Sequence, residues 1–416
     1  MPIVSPQSLV GARSPIYITA NYGSLARSLY DVTLDLYIWT GSRSSVPASS
    51  QYTLFRDVFA GTDVSFDIAP MIREYLSNAY EGFDATDVSY APDGSLVWVQ
   101  MEYEVNYINK ANPPQSVSDM GTTDIFEAAD GYHIFTEGAN KELEKGYASV
   151  NAVKYIQDSG NEVVPVYLGQ WGEGYDIYWA YKDRVVADGG TVEGGSGCAN
   201  IGLHKVEYLG DDGYNVDLPI TELQLQGLQA EERMMLLPCG VDNLTTWLDS
   251  VDEPLTYSRY YDLNLKDCFG TTLDTRRFYP TCEVKYNPSQ MQFINKNGVW
   301  ESITFFKRSD EAIQATSERY RRSIGTSSAS GFTYDSTEPL YERYNTNGLR
   351  TYTLNTGWVG EDYKEIIEQM VMSERALLDG VPVTILTESV TLQKSVNDKT
   401  INYTVEVQEA FDIRYV

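Results

Sequence analysis

The sequence predicts a mainly β protein: sandwich-like domains in series, the first of immunoglobulin or fibronectin type, with a few short helices. Three observations predict it. Apolar residues recur with period two over long stretches. Clusters of Gly, Pro, Asn and Asp interrupt those stretches at short intervals. Tyr outnumbers Phe 32 to 13, and its apolar ring with a wet hydroxyl suits half-buried strands and protein–protein surfaces.

The 416 residues correspond to about two to four domains. A hydrophobic content of 42% is enough for ordinary cores, so no disulfide or metal is needed to hold the fold. Three domains are expected: residues 1–112, 113–282 and 283–416.

In residues 1–112, Val32, Leu34, Leu36 and Ile38 alternate with Thr33, Asp35, Tyr37 and Trp39, which is a half-buried strand ended by Thr40-Gly41-Ser42. Tyr52–Phe55 and Val64–Ile68 read as further strands. Ile68, Met71, Ile72, Tyr75 and Leu76 share one face of a short helix. The clearest strand sets Val97, Val99, Met101, Tyr103, Val105 and Tyr107 against Trp98, Gln100, Glu102, Glu104 and Asn106. Asn112-Pro113-Pro114-Gln115-Ser116 then reads as a stiff linker, because paired prolines cannot continue a strand.

In residues 113–282, strands are expected over Val163–Leu168, Tyr175–Tyr181 and His204–Leu209. The Gly-rich stretch 188–197 lacks the Lys and Ser/Thr of a phosphate-binding loop and reads as a surface loop. In residues 283–416, Asn297-Gly298 between apolar runs is a hairpin signal, since both residues tolerate positive φ. The return strand is Trp300–Phe306. Residues 308–350 are polar and rich in Ser, Thr, Gly, Arg and Tyr, and read as a long loop reaching a neighbouring subunit. Residues 361–375 read as a helix with Tyr363, Ile366, Ile367, Met370 and Val371 on one stripe, and Glu361 and Asp362 at its positive end. A final hairpin joins Val381–Leu392 to Thr400–Phe411 through Val396-Asn397-Asp398-Lys399.

Charge narrows the function. The chain carries 31 basic and 59 acidic residues, net −28. Phosphate backbones and anionic membranes call for clustered Lys and Arg, so neither is an expected partner. The same charge favours solubility and discourages stray association before assembly. Met1–Pro6 has no basic segment leading into an apolar run, and no 18-residue apolar stretch exists. The reading is therefore a chain made in a cytoplasm without a signal peptide, which leaves by lysis or within a particle.

No catalytic set is legible. Cys198, Cys239, Cys268 and Cys282 have no C-x-x-C spacing, and His133 and His204 are too few for most triads or metal sites. No catalytic residue, cofactor or metal is expected, and the chain reads as a non-enzyme. Glu102 with Glu104, Asp211 with Asp212 and Asp310 with Glu311 are carboxylate pairs of the kind glycoside hydrolysis uses. With so many acids, solvated faces explain them as well. Trp98, Trp171 and Trp179 are the first candidates for stacking on a sugar. One basic cluster departs from the acidic background: Lys307, Arg308, Arg319, Tyr320, Arg321 and Arg322. It is the expected subunit interface, drawn to an acidic surface of an identical neighbour; the plain alternative is a solvated loop.

Several segments resemble structural proteins of the tail, neck or baseplate of tailed bacteriophages, including phages of Bacteroidetes. They are Phe293–Trp300, Phe305-Phe306-Lys307, Leu354-Asn355-Thr356-Gly357-Trp358 and Ser395–Thr404. Ser14–Ile18 and Leu36–Gly41 are similar to the opening sandwich of such proteins. The middle of the chain carries no part of the likeness. The resemblance implies a virion component, in ring-like or fibre-like homo-oligomers and in contact with other virion proteins. It carries no catalytic residue over. The alternative function is a receptor- or carbohydrate-binding module of the tail or fibre, with a host surface glycan as partner.

Overall fold

The computed structural model describes residues 3–6, 8–21, 27–58, 63–80, 82, 86, 88–110, 113–143, 146–167, 205–219, 233–249, 252–266, 272–283, 285–387 and 401–414. The chain is mainly β, with antiparallel sheets and short helices. It forms two compact units. The first is Met1–Cys282 with Phe293–Ile303 and Asp362–Met370; the second is Glu283–Gln292, Thr304–Glu361 and Val371–Val416.

The first unit opens with the expected sandwich. One sheet holds Ile3–Val4, Tyr17–Asn21 and Asp63–Asp67. The other is built on Arg27–Trp39 and Leu96–Asn109, which pair antiparallel from Arg27–Asn109 to Trp39–Trp98. Alternation decides which face goes inside. Val32, Leu34, Leu36, Ile38, Val97, Val99, Met101 and Val105 are buried in one core with Ile18, Val64 and Phe66 of the smaller sheet. Each such side chain contributes roughly 1.5–3 kcal/mol by leaving water. The short helix is confined to Ala69–Arg73, where Pro70 fits the first turn and Ile72 is buried.

The expected linker is not one. Gln115 and Ser116 already belong to the strand Gln115–Thr122, which pairs with Leu96–Asn109. The two prolines turn a corner, and the chain then folds back so that Val117 packs on the sandwich core. Phe126–Ala129 joins the same sheet. In the other direction, Ser89–Tyr90 pairs with Met234–Pro238 of the next region. The segments 1–112 and 113–282 therefore exchange strands and lie in one unit.

The rest of that unit has a four-stranded sheet of Gly146–Tyr147, Val163–Tyr167, Met234–Pro238 and Ser89–Tyr90. A five-stranded sheet orders Val153–Gln157, Thr272–Thr281, Tyr261–Lys266, Lys205–Gly210 and Asn215–Pro219. The helix Val241–Asp249 sends Leu244, Trp247 and Leu248 into a core with Val164, Leu237, Leu263 and Phe278. The strands expected over Val163–Leu168 and His204–Leu209 appear as Val163–Tyr167 and Lys205–Gly210. Tyr175–Tyr181, the 188–197 stretch, His204, Cys198, Cys268, Trp171, Trp179 and the Val396–Lys399 turn lie outside the described residues.

In the second unit, Tyr341–Val359 is the longest strand. Its residues Thr351–Val359 pair with Ile401–Glu409, and Tyr341–Thr353 with Asp310–Arg321. Ala376–Leu378, Val381–Ile385 and Ile401–Glu409 continue the antiparallel ladder. Ile401, Tyr403, Val405 and Val407 alternate inward as the sequence predicts. The hairpin signal resolves as Ser289–Ile294 and Trp300–Phe305, with Gly298, a residue of the first unit, at φ 79°. The helix expected over 361–375 spans Tyr363–Val371, belongs to the first unit as far as Met370, and buries Tyr363, Ile366, Ile367 and Met370.

Candidate functional site: an exposed β ribbon

The largest departure from expectation is residues 308–350. They form no loop. Asp310–Arg321 and Tyr341–Val359 make a two-stranded antiparallel ribbon, in register from Asp310–Thr353 to Arg321–Tyr341. At about 3.4 Å per residue the shorter strand is roughly 37 Å long. Beyond it, Gly325–Ser328 and Gly331–Tyr334 close a small hairpin, with Gly331 at φ 125°. Polarity misled the reading, because a ribbon with solvent on both faces has no apolar alternation to show.

Local chemistry explains the shape. The register shifts between Thr316 and Glu318, opposite Asn345, which adopts φ 49°. Asn tolerates that left-handed conformation, and a bulge sharpens the twist of the ribbon. Up to this point one edge is covered: Ile413 N donates to Gly348 O at 2.9 Å and Arg414 N to Asn347 Oδ1 at 3.0 Å. Past the bulge the pair runs on without that cover.

Register then sorts the far end into two unlike faces. Arg319 lies opposite Arg343 and Arg321 opposite Tyr341. These four exposed side chains share one face with Ser317, whose hydroxyl accepts from Arg343 Nε at 2.9 Å. Among the described residues no carboxylate pairs with Arg319, Arg321 or Arg343. The other face carries Glu318, Tyr320, Glu342 and Tyr344. The Tyr320 and Tyr344 rings meet edge to face at 5.6 Å, and the Tyr320 hydroxyl donates to Glu342. Glu342 also faces Arg322 at 3.5 Å. The acids beside them raise both phenol pKa values, Glu342 for Tyr320 and Glu318 for Tyr344.

The predicted cluster is therefore divided. Lys307 and Arg308 sit at the root, each on a local acid: Lys307 Nζ to Glu283 at 2.5 Å and Arg308 to Asp310 at 2.6 Å. That bond from Lys307, with a backbone donation from Lys285, holds the Glu283 carboxyl below its ordinary range. Arg319, Tyr320, Arg321 and Arg322 lie at the far end, and the strand sends Arg319 and Arg321 to one face and Tyr320 to the other. Sequence reasoning missed Arg343 and Tyr341, which only the pairing brings beside them. From Lys307 to Arg350 the chain has seven basic and six acidic residues, against 31 and 59 overall.

The other candidates fall elsewhere. Trp98 is only 1% exposed, donates to Gly41 O at 2.7 Å and lies under the Arg233 guanidinium, so it cannot stack on a sugar. Glu102 and Glu104 lie on the open outer face of the sandwich. Asp211 accepts from the backbone of Ser258 and Arg259, and Asp212 from Tyr214; both fasten loops. Asp310 and Glu311 pair with Arg308 and Arg350. One cleft of about 280 Å³ in the first unit draws Tyr132, His133, Glu142, Arg276, Lys296 and Glu365 from distant segments. Lys296 and Glu365 pair there at 3.2 Å, and burial lowers the His133 pKa. Among the described residues no helix is long and apolar enough to cross a membrane, and no cluster of His, Cys, Asp or Glu is placed to hold a metal.

Fold and site together define a class: a mainly β chain that opens with a two-sheet sandwich and carries a solvent-exposed β ribbon. No family model matches the sequence, and no curated protein matches it. Among solved structures, one is similar over 98% of this chain and 97% of its own: a Ca²⁺-stabilised adhesin that helps an Antarctic bacterium reach out and bind ice. Identity is 10% and the TM-score 0.17, a likeness too slight to carry an argument about fold or function.

Proposed function

We propose that this chain is a structural subunit of a tailed-phage particle, in the tail, neck or baseplate, that assembles through its β ribbon. One observation carries the reading. The ribbon beyond Thr316 exposes both faces, and a two-stranded hairpin alone in water is marginally stable at best. Phe332, 68% exposed, and Tyr341, 62% exposed, add apolar surface to it. An element so poorly buried gains its stability on contact with another molecule. The likeness of the C-terminal segments and the opening sandwich to tail, neck and baseplate proteins points to the particle that would supply that contact.

The test is the composition of purified particles. Peptides of this chain should appear in density-banded virions at a fixed ratio to the major structural proteins. Abundance in the lysate with absence from the banded particles would overturn the proposal.

A further inference from the structure

The outer face of the N-terminal sandwich complements the cationic face of the ribbon. Three rows of residues cross four adjacent strands there, and the ladder fixes their composition. One row is Phe55, Thr33, Glu104 and Met120. The next is Thr53, Asp35, Glu102 and Thr122. The third is Asp57, Asp31, Asn106 and Ser118. Five of these twelve side chains are carboxylates and none is Lys or Arg. Phe55 and Met120, 60% and 70% exposed, stand at the two ends of one row.

Neutral groups satisfy the acids only in part. Asp35 accepts from the Ser50 and Thr53 hydroxyls, Glu102 from the Tyr37 hydroxyl, Asp31 from Asn106, and Glu104 from Ser118 and Asn106. Among the described residues no cation pairs with any of the five. Carboxylates this close repel one another, and a cation arriving from outside relieves that. Arg319, Arg321 and Arg343 form a cationic patch, with Tyr341 beside it to meet Phe55 or Met120. Arginine forks bind carboxylates two bonds at a time, and both surfaces are β faces.

We infer that the ribbon of one copy docks, by its Arg319–Arg321–Arg343 face, on the Asp35–Glu102–Glu104 face of a second copy. Such a contact joins unlike surfaces, so each copy offers one of each. Repetition gives a closed ring or an open filament according to the rotation per step. The inference deepens the assembly reading above by naming the partner surface.

A charge exchange on the full chain tests it. Variant one is R319E/R321E/R343E; variant two is D35K/E102K/E104K. All six positions are solvent-facing, and circular dichroism checks that each variant folds. The wild type should self-associate in sedimentation at about 0.05 M salt and loosen toward about 0.5 M, where the Debye length shrinks severalfold. Each variant alone should lose association by at least ~100-fold, since like charges then meet across the contact. Mixed one to one they should assemble again, because each ribbon finds an opposite face on the other variant. A wild type that stays monomeric overturns the inference, as does a variant that associates like wild type or a mixture that stays monomeric. Particle composition is measured separately, so a virion protein with a different self-contact, or with another partner on this face, would fail here and pass there.

Discussion

Single residues show how this chain handles polar groups away from water. Lys154 and Glu162 are both about 2–3% exposed and pair at 3.2 Å, with Ser302 bonded to both. Burial alone would lower the Lys154 pKa; the Glu162 and Glu301 carboxylates outweigh it and hold the ammonium above its ordinary value. Removing one partner strands a charge in the core. Lys154→Met should therefore cost about 3–5 kcal/mol in urea unfolding, and Lys154→Met with Glu162→Leu should recover much of it. Equal losses in the single and double variants would refute that account. Asn295 works nearby as a hub: its Nδ2 donates to Ala148 O and Glu301, and its Oδ1 accepts from Asn297 N. It sits in a hairpin turn, and no local pattern marks it as buried.

Elements carry the next level. The Asn297-Gly298 turn was legible because a tight hairpin turn needs a residue at positive φ, and Gly298 supplies it. Its tightness was not. A Cβ at Gly298 would meet the backbone of Asp130 and Gly131, which lie on another segment of the first unit. Gly298→Ala should lower the melting temperature through left-handed strain of about 1–2 kcal/mol plus that clash. An unchanged melting curve would show that the turn relaxes freely. The ribbon behaves in the opposite way. Its far half buries little, so joining Thr316 to Asn347 through a short Gly-containing turn should leave stability within about 0.5 kcal/mol, as for other surface changes, while self-association disappears. Unfolding on excision would mean that the ribbon belongs to the core.

For the whole molecule, the 32 tyrosines link composition to stability. Several are buried and spend their hydroxyls on backbone carbonyls. Tyr147 donates to Leu263 O at 2.9 Å, Tyr167 to Asn297 O at 2.5 Å and Tyr261 to Cys239 O at 2.6 Å. Burial raises the pKa of all three above the ordinary phenol value of 10.0. The unfolded chain then releases these protons near pH 10 while the folded one keeps them. Their contribution is complete below pH 10 and is lost as pH climbs toward the folded values. An alkaline titration followed by tyrosinate absorbance should resolve more than one phase. The buried set should ionise later, together with loss of the β signal in circular dichroism. A single smooth titration of all tyrosines with the fold intact would contradict this.

The sequence by itself determined the β class, the inward sets of the sandwich strands, the 297–298 turn and the apolar stripe of Tyr363–Met370. Each rests on alternation or turn chemistry, which are local and survive in one dimension. It also marked residues 307–322 as chemically unusual. Tertiary structure alone decided that Pro113-Pro114 is a corner, since a proline pair ends a strand in the same way whether the chain departs or returns. It decided as well that 308–350 is a ribbon, because a strand bathed on both sides leaves no apolar period to read. Pairing register, set by residues dozens of positions apart, placed Arg343 beside Arg319 and gathered five carboxylates on one outer face.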